Sequence, residues 1–418
     1  MMHHPGRLIK SLQVYAMAIL LMSMPLEAKP VTGMANYLRD DSLNHAQQNV
    51  NQKDVQDLLG HMLHIKFKPD SLKYNGNGPF LSVVPVVGYS LQSGLTGALT
   101  SSTSFYTSTK RDKFSNILAN LYYSEYHQIW FVANSNIFLD KPAIHFFGDW
   151  RYYNFPTNTF GIGNHTTLND VLAIDYSYVR FYQHAFLEIF DNVFAGVGYN
   201  LDHHWNIREA SDSGRVYTEI QKFQKGTSSV SSGVSLNFLY DNRKNSVNSD
   251  QGSYASVQYR TNLVFLGSDN NWQSMVVDLR HYVKFPYSTK NVLAFWSYSN
   301  LTLNGTPPYL DLPSIGWDDY SNTGRGYVPG RYTGRNLFYV ESEYRFGVTR
   351  NGLLGGVVFG NAESLLRRIP GSLKTINPGY GLGTRIKLNK FSSTNLAIDY
   401  GFGIGGSRGL FFNLGEVF

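Results

Sequence analysis

The chain ends in Phe-Asn-Leu-Gly-Glu-Val-Phe, residues 412–418, and this stretch decides the expected fold. Apolar and polar side chains alternate along it, which indicates a strand with one face toward lipid. The last residue, Phe418, places an aromatic ring and a free carboxylate at the strand end, where they suit a membrane interface. Because every backbone N–H and C=O inside a bilayer must be paired, such a strand implies a closed β-barrel in an outer membrane.

Residues 1–28 have the layout of a secretory signal peptide. Arg7 and Lys10 precede an apolar run over 14–24, and a small-residue cleavage site comes before Lys29. That run is about eleven residues long, well short of the roughly twenty that a membrane-spanning helix needs. We therefore predict export to the bacterial outer membrane and membrane residence through strands.

The composition agrees with a barrel and excludes several other classes. The chain holds 29 Tyr, 27 Phe and 39 Gly with a hydrophobic fraction of only 42%, as expected when strands show apolar residues to lipid and polar ones to water. It has no Cys, so disulfides, thiolate zinc sites and cysteine nucleophiles are excluded. A net charge of +6 is unremarkable at this length, and we predict no nucleic-acid partner.

From Phe80 onward the sequence alternates with a period of two. Near the C-terminus one face of a predicted strand carries Leu396, Ile398, Tyr400, Phe402 and Ile404. The opposite face carries Ala397, Asp399, Gly401, Gly403 and Gly405. This second face is small, and it suits a crowded barrel interior.

Sixteen strands are predicted from this alternation: 80–90, 94–106, 116–127, 128–139, 143–155, 171–186, 192–207, 228–243, 253–265, 270–285, 291–305, 336–349, 351–364, 379–388, 395–406 and 407–418. An even number is the rule for single-chain bacterial barrels. If the first strand runs outward, the long connections 156–170, 208–227, 306–335 and 365–378 are all external. The domain prediction is a signal peptide (1–28), a short polar periplasmic leader (29–79) and a transmembrane β-barrel (80–418).

The longest connection, 306–335, contains Gly324, Arg325, Gly326 and Tyr327. A loop of about thirty residues is either a solvated exterior loop or one folded into the barrel for a purpose. On the next predicted strand, Glu341 and Glu343 share the face opposite Val340. Both carboxylates would point inward, where Arg325 could form a charge-assisted pair with one of them.

In the sixth outer loop of a sixteen-stranded barrel, Arg325-Gly326-Tyr327 resembles the Arg-Gly-Phe/Tyr motif of the BamA/TamA outer-membrane assembly and surface-antigen family. Three further motifs are similar and follow in the same order. They are the periplasmic turn Asp241-x-Arg243 before Gly252, the strand Glu343-Tyr344-Arg345-Phe346, and the terminal strand signal with Phe412, Leu414, Gly415 and Phe418.

The resemblance covers about residues 80–418 and implies a fold and a function. The implied fold is all-β: a 16-stranded antiparallel transmembrane β-barrel with a long, inward-folded sixth outer loop. The implied function is a part in inserting, assembling or translocating proteins at the outer membrane, with client outer-membrane proteins or other proteins as partners. The leader, at about fifty residues, is too short for even one POTRA domain, so the resemblance is to a POTRA-less member that acts with partners.

The chain also departs from the family pattern. Asn361 stands where the family often has an acidic partner for the loop arginine. The candidate partners for Arg325 therefore remain Glu341, Glu343 and Glu363, with Asn361 at the expected position. The alternative function is a passive channel or structural barrel that kept the fold without the activity.

Pro85 interrupts the first predicted strand. Proline lacks the N–H that a strand ladder needs and is normally confined to edges and bulges. One interpretation is a weak seam between the first and last strands, where the family resemblance implies lateral opening. The other is a local bulge without functional meaning.

The sequence predicts no enzyme, no cofactor and no metal site. Gly401-Phe402-Gly403-Ile404-Gly405-Gly406 satisfies a dinucleotide-loop pattern, but it lies on a strand with no helix after it. His203 and His204 are consecutive, so on a strand they face opposite ways and cannot chelate one metal together. No residue is therefore assigned a catalytic role.

Overall fold

The computed structural model describes residues 52–55, 57–58, 80–90, 93–107, 114–139, 144–209, 219–243, 245, 248–287, 289–319, 321–366, 375–389 and 393–418. The predicted signal peptide, 1–28, lies outside the described residues. Of the predicted leader, 29–79, only residues 52–55 and 57–58 are described.

The fold is all-β, which confirms the predicted class. The strands are β1 (Phe80–Ser90), β2 (Gly94–Tyr106), β3 (Phe114–Ser124), β4 (Ile129–Leu139), β5 (Ile144–Asn154), β6 (Thr157–Thr159), β7 (Leu172–Phe190), β8 (Val193–Glu209), β9 (Ser229–Asp241), β10 (Gly252–Asn262), β11 (Trp272–Lys284), β12 (Val292–Gly305), β13 (Asn336–Gly347), β14 (Leu354–Leu366), β15 (Asn377–Asn389), β16 (Thr394–Gly403) and β17 (Arg408–Leu414). Within the described residues, three single-turn 3₁₀-helices lie in connections, at Leu168–Asp170, Val264–Leu266 and Tyr309–Asp311. No helix in the described part of the chain is long and apolar enough to cross a membrane.

The strands pair with their chain neighbours in one antiparallel sheet. The ladders run from β1–β2 to β16–β17, and β5 pairs directly with β7. β6 has only three residues, lies in the predicted connection 156–170 and adds to β7 beyond β5. Sixteen long strands in antiparallel order are therefore confirmed, with ends that differ from the predicted ones by a few residues.

The two faces of the sheet differ in the way that a membrane protein requires. On β13 the side chains of Tyr339, Glu341 and Glu343 are buried, whereas that of Val340 on the opposite face is exposed. Exposed apolar residues on other strands include Leu99, Leu121, Val197, Leu236 and Leu382. A sheet that buries its charged face and exposes its apolar face has the pattern of a lipid-facing barrel wall.

The last strand is shorter than predicted. A strand over 407–418 was expected, with Phe418 at the membrane interface, but β17 ends at Leu414. Gly415 has φ +94°, a left-handed conformation that glycine adopts easily, and its N–H donates to the carbonyl oxygen of Asn395 at 2.8 Å. The chain leaves the strand there, and Phe418 is buried, with 4% of its surface exposed.

A short piece of the predicted leader contacts the hairpin between β13 and β14. The N–H of Lys53 donates to the carbonyl oxygen of Asn351 at 2.9 Å, and the side chains of Asp54 and Val55 are buried. This contact places the described part of the leader at the end of the sheet where β13 finishes.

Candidate functional site

The tip of connection 306–335 lies directly on the backbone of β16. Gly326 adopts φ +111°, and a Cβ atom there would lie 2.8 Å from the carbonyl carbon of Phe402. A Cβ atom on Gly401 would lie 2.6 Å from the amide nitrogen of Gly326. Because either side chain would overlap the other backbone, both positions require glycine. The tip of the connection therefore packs against the small face of β16.

Arg325 is the central charge of the site. Its guanidinium is buried, and Nη1 donates to Oδ2 of Asp399 on β16 at 2.6 Å. Nη2 donates to Oε1 of both Glu341 and Glu343 on β13. The guanidinium also stacks over the ring of Phe359, with Cζ 3.7 Å from the ring centroid. Burial disfavours the charged form, but the three carboxylates outweigh it and raise the pKa of Arg325 well above its usual value.

Tyr327 anchors the tip through hydrogen bonds of its hydroxyl group. Its buried hydroxyl donates to the carbonyl oxygen of Pro378 at 2.6 Å and accepts from the N–H of Ile404 at 3.1 Å. Gly324, with φ +80°, packs against the side chain of Ile315 within the same connection. The residues of the sequence motif, 324–327, are thus held by strands β13 to β16.

The structure brings together some of the predicted partners and not others. Glu341 and Glu343 both contact the guanidinium of Arg325, and Asn361 donates instead to the carbonyl oxygen of Arg325 at 2.9 Å. Glu363 makes no contact with Arg325 among the hydrogen bonds and ion pairs of the described residues. The residue that sequence reasoning missed is Asp399. The available signal was that Asp399 is the only carboxylate on the small face of its strand.

Alternating charges continue from Arg325 toward the C-terminus. Glu343 accepts from Nε of Arg345 at 2.6 Å, and Asp399 accepts from Arg385. Arg385 in turn donates through Nε to Glu416 at 2.6 Å. Each of these side chains is buried. A buried charge is tolerated only when it is paired and hydrogen-bonded, and here each charge has an opposite partner.

Glu416 holds the C-terminal segment against this network. Besides Arg385, it lies 3.6 Å from Nε of Arg345 and accepts from Nδ2 of Asn395 at 2.7 Å. Burial disfavours the carboxylate, but Arg385 and Arg345 outweigh burial and hold the pKa of Glu416 below its usual range. These cations supply the physical reason why residues 415–418 leave the strand.

Phe418 completes the buried C-terminal segment. Its ring packs against Trp296 and Tyr282, with centroid separations of 5.2 and 6.2 Å. Its main-chain oxygen accepts from Nη2 of Arg345 at 2.9 Å. Of the other residues in the predicted terminal signal, Phe412 and Leu414 belong to β17, and Gly415 forms the bend. The expected interface position of Phe418 is therefore wrong.

The predicted turn motif forms a compact clamp. Arg243 donates through Nε and Nη2 to the two carboxylate oxygens of Asp241, at 2.9 and 2.8 Å. The guanidinium also lies over the ring of Tyr254 at 4.5 Å. Gly252 has φ +106°, and a Cβ atom there would lie 3.1 Å from Cα of Arg243. The three motif residues thus lie together where β9 passes into β10.

The body of connection 306–335 is fixed at points that the sequence did not predict. Asp319 accepts from Nη1 of Arg180 at 3.1 Å, and Asp311 accepts from the hydroxyl of Ser231 at 2.5 Å. Further along, Arg331 donates through Nη1 to Thr166 at 2.6 Å. These contacts tie the connection to β7, β9 and the segment before β7. Connection 306–335 therefore contacts the sheet at several separate strands.

Asp311 is buried beside another carboxylate. Burial and the nearby Asp202 together raise the pKa of Asp311 to about 7. Asp202 itself accepts from Nη1 of Arg260 at 2.5 Å and from the hydroxyl of Tyr178 at 2.5 Å. Arg260 therefore stabilises the carboxylate of Asp202 by a direct hydrogen bond, whereas the carboxylate of Asp311 has no such contact with Arg260 among the hydrogen bonds of the described residues.

Pro85 lies within β1, opposite Leu99 of β2, and its side chain is exposed. β1 lies beside β17 at the two ends of the strand series. The structure thus places Pro85 on one of the two strands that form the predicted seam.

Solved structures share this fold. BamA from Haemophilus ducreyi lacking POTRA domains 1-3 is 14% identical, with a TM-score of 0.55, and the match covers 90% of this chain and 81% of that one. CdiB from Acinetobacter baumannii is 13% identical (TM-score 0.51; 82% of this chain, 60% of that one). CdiB from Escherichia coli is 11% identical (TM-score 0.52; 95% and 72%). No protein-family model and no curated protein matches the sequence. The chain therefore has the fold of the BamA and CdiB barrels, and the likeness at this identity concerns the fold.

Proposed function

We propose that the chain is an outer-membrane β-barrel, closed by pairing of β1 with β17 and containing connection 306–335 in its interior. The buried charged face and the exposed apolar face support the closed form. The contacts of the connection with β7, β9, β13 and β16 support its interior position, because these strands are far apart in the sheet order.

The proposed function is a part, together with protein partners, in inserting, assembling or translocating proteins at the outer membrane. The observation that carries the proposal is the arrangement of Arg325 between β13 and β16, on the motif that resembles that of the BamA/TamA family. The shared fold with BamA and CdiB supports it. The proposal includes no catalytic step and no cofactor.

The seam between β1 and β17 is the proposed moving part. β17 has seven residues, fewer than the roughly 9–11 that a strand needs to cross a bilayer. Its continuation turns inward at Gly415, and Pro85 removes one backbone donor from β1. The short β17 and the missing donor at Pro85 both weaken backbone pairing at this seam, so it would open at lower cost than the other strand pairs.

The tip of connection 306–335 lies where it can influence the opening of the seam between β1 and β17. It lies on β16, the strand next to β17, and Asn322 reaches the C-terminal segment itself through a 2.6 Å hydrogen bond to Val417. Release of the tip would therefore remove contacts from both the last strand pair and the C-terminal segment.

The alternative is a passive channel or a structural barrel. The buried side chains and the fixed connection favour a structural barrel over an open channel, because they fill the face that would line a pore. Steady conductance in planar bilayers would favour the channel instead.

Depletion of the protein separates the proposals. The assembly function predicts lower levels of other barrels in outer-membrane proteomes, restored by a plasmid copy of the wild-type chain. Levels that stay constant during depletion would contradict the assembly function and support the structural barrel. Proteins that co-purify in mild detergent would identify the partners.

A further inference from the structure

The buried face of β14 and β15 carries four oxygen atoms that receive no hydrogen bond. Glu363 is 1% exposed, and neither of its carboxylate oxygens has a partner within the described residues. The Oδ1 atoms of Asn361 and Asn377, both buried, also lack partners in this part of the chain. Buried polar atoms are normally satisfied, so four such acceptors on one face point to a ligand that offers positive charge or donors.

The strand register brings these side chains together. Glu363 lies directly opposite Asn377 in the β14–β15 ladder, and Asn361 lies opposite Gly379. Residues two apart on a strand share a face, so all three side chains project from the same side. Directly opposite Cβ atoms are about 4.5–5.5 Å apart, and diagonal neighbours are within reach of long side chains. A single small ion can therefore contact all three.

Other contacts fix the orientation of the two amides. Nδ2 of Asn361 donates to the carbonyl oxygen of Arg325 at 2.9 Å, and Nδ2 of Asn377 donates to Oδ1 of Asn164 at 3.3 Å. Because each amide nitrogen donates to a carbonyl-type acceptor, the amide oxygens are the atoms left without a hydrogen-bond partner. Together with the carboxylate of Glu363 they supply the four free oxygen atoms of this face.

The nearest cation does not neutralise Glu363. Arg331 donates through Nη1 and Nη2 to Thr166, its Nε has no acceptor within the described residues, and it forms no ion pair with Glu363 in this part of the chain. Glu363 therefore has no direct cationic partner among the described residues, and a buried carboxylate is costly to hold in its charged form without one.

We propose that Glu363, Asn361 and Asn377 bind a hard divalent cation of the calcium type, with water completing the coordination. Carboxylate and amide oxygens are the ligands that calcium takes in proteins. The described residues contain no group of three or more His, Cys, Asp or Glu that could hold a metal, so this site depends on amide oxygens. A single carboxylate gives weak binding, in the range of about 10⁻⁴–10⁻³ M found for extracellular modules.

Terbium luminescence tests the site in the full-length barrel in detergent. Tyr339 lies directly opposite Glu363 on β13, and its buried ring can sensitise a bound Tb³⁺ ion. We expect saturable Tb³⁺ luminescence that Ca²⁺ displaces. Glu363→Gln should abolish it, whereas the control Asp191→Asn, at an exposed turn, should leave it unchanged. Luminescence that is absent, or that persists in Glu363→Gln, would overturn the proposal.

A second variant keeps the test decisive if Glu363→Gln does not fold. Asn377→Asp adds a carboxylate ligand opposite Glu363, so it should lower the Tb³⁺ concentration for half-saturation by about tenfold. It should also make the unfolding temperature strongly dependent on Ca²⁺. If Asn377→Asp destabilises the barrel equally with Ca²⁺ and with chelator, the two carboxylates only repel each other and the site is not a cation site.

Discussion

The side-chain amide of Asn322 donates a hydrogen bond of 2.6 Å to the carbonyl oxygen of Val417. The longest connection and the C-terminal segment therefore meet inside the buried face. Three residues beyond Asn322, Arg325 begins the ion network that ends at Glu416, the neighbour of Val417. The connection and the C-terminal segment are thus joined twice, by one hydrogen bond and by a chain of alternating charges.

Replacement of Arg325 by Ala should release the tip. It would leave Glu341, Glu343 and Asp399 buried without their shared cation, a change that typically costs about 3–5 kcal/mol. We expect a lower unfolding temperature, read as the heat-induced gel shift, and new protease cleavage within 306–335. Arg208→Ala is the control, because the pair of Arg208 with Asp175 is on the surface. Equal behaviour of the two variants would show that Arg325 is not paired inside.

Gly401→Ala should displace the tip without removing any charge. The new Cβ atom would lie 2.6 Å from the amide nitrogen of Gly326, and overpacking of this kind typically costs about 1–3 kcal/mol. Protease cleavage within 306–335 should increase. Gly360→Ala is the matched control, because a Cβ atom there meets nothing within 4 Å. Cleavage that increases equally in both variants would reflect a general loss of stability and would contradict the contact.

Protonation of Glu416 at acid pH should release the C-terminal segment from the ion network. Its pKa is lowered in the folded protein, so its contribution to stability is present above its ordinary value near 4.5 and is lost as pH falls through the lowered value. The ring of Trp296, stacked on Phe418, reports the change by fluorescence.

Glu416→Gln isolates this effect from other acidic groups. The variant should show the released fluorescence already at pH 7, and its further change below pH 4.5 should be smaller than that of the wild type. A wild type and a variant with identical titrations would rule out Glu416 as the attachment.

Asp311→Asn should stabilise the protein near neutral pH. The folded pKa of about 7 lies above the ordinary value, so the wild type loses stability as pH rises from about 4 to 7, by up to about 1.4 kcal/mol per pKa unit. The charged groups near Asp311 are Asp202, Arg260 and Arg180, and the imidazole of His204 lies 3.7 Å from Oδ1 of Asp311. The variant should match the wild type near pH 4 and exceed it above pH 7. An advantage that does not vary with pH would contradict the raised pKa.

The strand series could be predicted because its signal is local. Alternation along β13 separates Glu341 and Glu343 from Val340 wherever the strand lies in the sheet, so the buried and exposed faces followed from the sequence. The small face of β16 was visible for the same reason. Arg325 was a candidate because the longest connection could carry it inward toward the carboxylates of Glu341 and Glu343, and because its motif resembles that of the BamA/TamA family.

The partners of Arg325 could be predicted only in part. Glu341 and Glu343 were candidates because they share an inward face. Asp399 stood out as the carboxylate on the small face of its strand, but nothing in the sequence matched it to Arg325, which is 74 residues away. The short strand β6 was missed because three residues are too few for a period to show. Phe418 was misplaced because the prediction weighed its aromatic ring and not the charge of Glu416 two residues before it.

The sequence by itself therefore determined the class of fold, the number of long strands and the buried side of strands such as β13 and β16, because an alternation with a period of two can be read from neighbouring residues. Only the tertiary structure decided which side chains meet across the buried face: Arg325 with Asp399, Glu416 with Arg385, and Asn322 with Val417. The physical reason is that these contacts depend on how strands distant in the chain are brought opposite each other. Each buried charge then pairs with the opposite charge that the fold places within hydrogen-bonding distance.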